Sequence, residues 1–160
     1  MILISACLCG VNCKYDGGNN INDKALKLLR EGKAILVCPE QLGGQSTPRA
    51  PHEIQNSTGA DVLDGKGVIL GPEGDDATQE FLKGAYETLK IAKEVGTNVA
   101  ILKARSPSCG FGRIYDGSFT GNKKYGNGVT AELLSRHGIK IFTEENIDEF
   151  LKKYEAYLGK

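Results

Sequence analysis

Three short stretches of unbroken apolar residues punctuate the chain: Ile2-Leu3-Ile4, Ala34-Ile35-Leu36-Val37 and Val99-Ala100-Ile101-Leu102. Runs this short, with no polar alternation, predict strands covered on both faces of a sheet. Ile139-Lys140-Ile141-Phe142 alternates instead and predicts an edge strand. Helical periodicities lie between these runs. Asn22 is placed to cap a helix that turns Ala25, Leu26, Leu28 and Leu29 inward and stops at Gly32. Asp76 or Thr78 starts a longer one, with Phe81, Leu82, Ala85, Leu89 and Ala92 as its apolar stripe and Gly96 at its end. Val129 to Arg136 predicts a third, closed by Gly138. Thr143 caps a fourth that carries Ile147, Phe150, Leu151, Tyr154 and Leu158 on one face. The segment from Asp61 to Leu70, with Asp64-Gly65 inside it, reads as a small hairpin. Strands alternating with helices imply an α/β fold: one domain over residues 1–160, a mainly parallel sheet with helices on both faces and a small β-hairpin insertion.

Composition narrows the function. Twenty basic and twenty acidic residues balance, so there is no basic stripe of the kind that binds nucleic acid. The longest apolar runs are about four to six residues, against the roughly 20 that cross a bilayer. Met1 to Ser5 lacks the basic and apolar regions of a signal peptide. The expectation is a cytoplasmic protein without a membrane or nucleic-acid partner, working on a small molecule.

Five cysteines change that bland picture. An odd number without a secretory signal argues against a disulfide framework, and no Cys-x-x-Cys pair suggests a zinc ribbon or a thioredoxin site. Only His52 and His137 carry imidazole, which rules out a multi-histidine metal centre. Cys7 comes just after the first apolar run, Cys38 directly after the second, and Cys109 a few residues after the third. In a parallel sheet all carboxyl ends open onto one edge, where ligands bind. Three thiols distant in sequence are therefore expected to converge there. A lone cysteine is usually a small buried hydrophobe, but three at strand ends, each flanked by Pro, Gly or Ser, point to soft-metal chemistry. Cys9 and Cys13 read as bystanders, although Cys13 is close enough in sequence to reach the same edge.

Two long irregular stretches, about residues 39–60 and 105–128, hold the remaining candidates. Glu40 follows Cys38 by two residues and is a candidate general acid or base. Ser106 and Ser108 precede Cys109; they either orient a substrate or close the turn around Pro107. The planar fork of Arg49 suits an anionic or carbonyl-bearing ligand, and an exposed loop arginine is the alternative. His52 has no visible partner in the sequence and is expected at the surface. Gly110-Phe111-Gly112 begins like a dinucleotide fingerprint but lacks its third glycine and a following helix.

Taken in order, Ser5-Ala6-Cys7-Leu8-Cys9-Gly10, Tyr15-Asp16-Gly17, Val37-Cys38-Pro39-Glu40-Gln41-Leu42-Gly43-Gly44, Thr47-Pro48-Arg49, Ser106-Pro107-Ser108-Cys109-Gly110 and Ile114-Tyr115-Asp116-Gly117 resemble the thiouracil desulfidase (TudS-type) family across essentially the whole chain. The resemblance implies a 4Fe-4S cluster held by three cysteines, matching Cys7, Cys38 and Cys109. It also implies desulfuration of a thiolated pyrimidine without net redox chemistry. In that reading Glu40 and Ser106 are catalytic, and Arg49 and Ser108 bind substrate. The chain departs from the family pattern at Cys9 (commonly Leu), at Gln45-Ser46 (more usually Leu-Pro) and at His52 (typically a small residue). Alternatives compatible with the same residues are a cluster-dependent lyase or hydratase, a non-catalytic cluster or sulfide carrier, a redox sensor, and a purely structural three-thiolate site.

Overall fold

The computed structural model describes residues 1–154. In chain order the elements begin with β1 (Ile2–Ser5), α1 (Asp23–Arg30), β2 (Ala34–Val37), α2 (Pro39–Leu42), β3 (Glu53–Gln55), α3 (Gly59–Leu63) and β4 (Val68–Leu70). They continue with α4 (Thr78–Val95), β5 (Val99–Leu102), β6 (Arg113–Tyr115), β7 (Lys123–Tyr125), α5 (Val129–Arg136), β8 (Lys140–Thr143) and α6 (Ile147–Lys152). This is a single α/β domain.

A four-stranded parallel sheet in the order β2-β1-β5-β8 forms its centre. Each strand splits its residues between two apolar layers, as the two-residue period of a strand requires. Leu3, Ala100, Leu102 and Ile141 face one layer with Phe81, Ala85 and Leu89 of α4 and Leu133 and Leu134 of α5. Ile2, Ile4, Val99, Ile101 and Phe142 face the other, with Ala25 and Leu28 of α1 and Ile147 and Phe150 of α6. Helices therefore cover both faces, and β8 is an edge strand, as its alternation predicted. Two antiparallel ribbons, β3-β4 and β6-β7, stand outside the sheet.

The predicted caps are largely where the sequence placed them. The Asn22 side chain accepts from the backbone N–H groups of Lys24 and Ala25 at the start of α1. Asp76 accepts from Thr78 N–H at 2.8 Å before α4, and Gly96 ends that helix in the left-handed region. Two expectations fail. Residues 61–70 do not form a hairpin: Thr58 and Asp61 make a reciprocal capping box that starts α3, and only Val68–Leu70 is extended, pairing with β3. Thr143 does not cap α6 but closes β8. Its N–H donates to Asn146 Oδ1, and α6 begins after Asn146. Leu158, expected on the face of that last helix, lies outside the described residues.

The chain steps from β1 outward to β2 by way of α1, then crosses back to β5 and on to β8. The reversal leaves a crevice beyond the carboxyl ends of β1 and β5, where such sheets bind ligands. No helix among the described residues is long and apolar enough to cross a membrane.

Candidate active site

A cavity of about 590 Å³ opens at that edge. The ends of β1, β2 and β5 supply Ser5, Val37 and the residues that follow each of them. Cys7 sits in a 3₁₀ turn (Ala6–Cys9) that Gly10 terminates at φ 89°. The turn is tied down where the Asn20 N–H donates to the Cys7 carbonyl at 3.0 Å. Cys38 is the residue before α2, whose first helical position is Pro39. Cys109 is held by its own N–H, which donates to Ser106 Oγ at 2.7 Å. All three line the cavity.

A fourth thiol is present. Cys13, read from sequence as a bystander within reach of the edge, also lines the cavity, and Cys38 Sγ lies 3.9 Å from its carbonyl oxygen. The loop carrying Cys13 is anchored by Arg49, which donates from Nη2 to the Cys13 carbonyl at 2.9 Å, and by the Arg49 N–H, which donates to Tyr15 O at 2.7 Å. Cys9 belongs instead to the apolar layer beneath α1 and does not line the cavity. All five cysteines are free thiols. Among the described residues, no three His, Cys, Asp or Glu side chains close around a single metal ion.

Burial pushes the Cys7 thiol up to about 11, against opposing help from an Asn20 hydrogen bond and from Lys103. Burial also raises Cys109 well above the ordinary thiol range. Between Cys13 and Cys38 a shared hydrogen bond raises the first and lowers the second, so Cys38 carries negative charge more readily.

Glu40 and Arg49 meet beside these sulfurs, Arg49 Nη2 standing 3.6 Å from Glu40 Oε2, with side chains 17% and 8% exposed for glutamate and arginine. Burial raises the Glu40 carboxyl, and the Arg49 guanidinium opposes the shift. Arg49 also donates to Ser46 O and Thr47 Oγ1. It is a built-in part of the wall rather than an exposed loop side chain. Ser106 lines the cavity, its oxygen taken by the Cys109 N–H and its hydroxyl hydrogen without an acceptor among the described residues. Ser108 does not line it. That residue is 1% exposed, and its hydroxyl pairs with Thr130 Oγ1 at 2.8 Å in the interior. The serine immediately before Cys109 thus ties the loop to α5 instead of facing a ligand.

His52 overturns its expectation. Its side chain is only 7% exposed and lines the cavity, Nε2 lying 2.8 Å from Asp75 Oδ2. Nδ1 lies 2.8 Å from the Ala50 carbonyl, and the ring meets Phe81 edge-on. Asp75 lies 23 residues onward and Phe81 in α4, and no local pattern around His52 reveals either. Lys103 and Glu144 pair at the rim at 2.8 Å, and Glu53 accepts from Gly117 and Phe119 N–H groups to pin the β6-β7 ribbon beside the opening.

With this geometry in view, relatives place the chain. A model of the 2-thiouracil desulfurase family matches residues 2–146. The chain belongs to that family. It is 47% identical over 151 residues to the Bacillus subtilis (strain 168) protein described as uncharacterized protein YbbK, covering 94% of this chain and all of that one. It is also similar to the solved structure of a [4Fe-4S]-dependent thiouracil desulfidase, TudS. The TM-score is 0.85 and the identity 38%, and 97% of each chain is covered.

Proposed function

We propose that this protein is a [4Fe-4S]-dependent desulfidase that exchanges the sulfur of a thiolated pyrimidine for oxygen, with Cys7, Cys38 and Cys109 as its cluster ligands. The observation that carries the reading is the convergence of these three free thiols with Glu40, Ser106 and Arg49 on one cavity. The donor set fits the cofactor. Thiolates are the usual ligands of iron–sulfur clusters, and three free ones line this cavity. When bound through three thiolates, such a cluster supplies one open iron, a Lewis acid toward the substrate's sulfur.

The protein's own side chains do the rest. Arg49 holds the Glu40 carboxyl at the cavity wall, so that Glu40 takes a proton from a water and delivers it as the carbon–sulfur bond gives way. The free hydroxyl of Ser106 donates to that water or to the ring. Arg49 adds a positive edge for a carbonyl or anionic group of the substrate. Ala50, Pro51 and Phe81 form apolar wall and limit water around the reacting atoms. In balance, water gives oxygen to the carbon and sulfur leaves as sulfide, with no electrons gained or lost. Anaerobic purification with iron and sulfide quantitation tests the cofactor: about four of each per chain is expected, and a protein that takes up neither after reconstitution contradicts the reading.

A further inference from the structure

Ser5 closes a short hydrogen-bond relay onto Cys109 at the crevice between β1 and β5. It is the last residue of β1 and is buried. The backbone N–H of Lys103, just past β5, donates to Ser5 Oγ at 2.9 Å, and that hydroxyl stands 3.4 Å from Cys109 Sγ. A backbone N–H only donates. It therefore occupies a lone pair of the serine oxygen and leaves the single hydroxyl hydrogen for the sulfur. A thiolate has no proton to give, so once Cys109 is deprotonated Ser5 gives the hydrogen bond and Cys109 receives it. A neutral thiol gains little from such a bond, whereas a thiolate gains a charge-assisted one.

We propose that Ser5 is a positioning residue for the cofactor: its hydroxyl orients Cys109 and withdraws charge from that sulfur once it ligates iron. The inference rests on the cluster reading above. Hydrogen bonds to ligating sulfurs are among the factors that set a cluster's reduction potential. They stabilise the more negative, reduced state and so raise that potential. A less donating sulfur also leaves the irons more electrophilic, the property needed to polarise a carbon–sulfur bond.

The test compares wild type, Ser5→Ala and Ser5→Thr, each reconstituted anaerobically with iron and sulfide. Iron content is measured first, then the potential by spectroelectrochemical titration and the rate of iron loss to a chelator. Ser5→Ala is expected to load fully, to show a more negative potential and to lose iron roughly two- to tenfold faster. Ser5→Thr keeps the hydroxyl and is expected to stay near wild type. Should Ser5→Ala fail to fold, Ser5→Thr and Ser5→Val, matched in shape and suited to a strand, carry the comparison, with the drop in potential confined to Val. A wild-type protein that takes up no iron contradicts the cluster reading itself. Fully loaded Ser5→Ala or Ser5→Val with wild-type potential and wild-type iron loss overturns the role of Ser5 alone.

Discussion

The α-carbon of Gly84 in α4 lies against the carbonyl oxygen of Pro39, the first residue of α2, and a β-carbon there overlaps it. Gly43 makes the reciprocal approach to the carbonyl of Glu80. The two helices cross backbone to backbone, and this crossing sets where Cys38 and Glu40 stand.

Gly84→Ala is therefore expected to push α2 away and to act on the site as well as on the fold. Overpacking of this kind costs about 1–3 kcal/mol. Urea denaturation should show that loss, and iron content after reconstitution should fall with it. Full iron retention in a destabilised Gly84→Ala protein would show that the crossing supports the fold but does not position Cys38.

The cysteines are expected to separate by place. Cys7→Ala, Cys38→Ala and Cys109→Ala should each lose stable iron binding. Cys9→Ala should keep it, since Cys9 belongs to the layer beneath α1. Cys13→Ala should keep it as well, the three-ligand arrangement being intact. Iron loss in Cys13→Ala as complete as in the other three would mean that a fourth thiolate closes the open iron.

Glu40→Gln is expected to keep the cluster while lowering turnover by about 10²–10⁴-fold, the usual contribution of a positioned acid or base. Ser106→Ala should cost less. The comparison is made at matched iron content, and a normal kcat in fully loaded Glu40→Gln removes Glu40 from proton transfer.

Asp76 offers a pH-dependent check on α4, the helix beneath α2. Hydrogen bonds from the Thr78 hydroxyl and N–H hold its carboxyl below the usual range. Such a depressed group stabilises above its unfolded value of about 4, and the contribution fades as pH falls through the lower folded value. Being exposed, these bonds to Asp76, the residue before the N-cap Ala77, are worth at most about 1 kcal/mol. Urea curves of wild type and Asp76→Ala should differ by that much at pH 7 and draw together below pH of about 4; a gap unchanged at low pH would mean the carboxylate's charge is not what steadies the start of α4.

Much of this was legible in the chain because it is local. The runs at residues 2–4, 34–37 and 99–102 are short and wholly apolar, so they read as buried strands, and the cysteine after each one follows to the sheet's carboxyl edge. The failures share a cause. Asp64-Gly65 looks the same after a short helix as inside a hairpin, and here the Thr58–Asp61 capping box decides. His52 looks unpartnered until Asp75 and Phe81 fold around it. Ser108 resembles Ser106 in sequence, yet α5 claims its hydroxyl. Cys13 enters the cavity through a loop fastened by Arg49, and the sulfur that Ser5 serves lies 104 residues away. Such pairings depend on tertiary geometry, which periodicity does not encode.

The most direct measurement is turnover of 2-thiouracil by the anaerobically reconstituted protein in ¹⁸O-labelled water, with no added electron donor or acceptor. The account predicts equimolar uracil and sulfide, with one labelled oxygen in each uracil. A fully loaded protein that converts no thiopyrimidine, or that does so only when supplied with electrons, would contradict it.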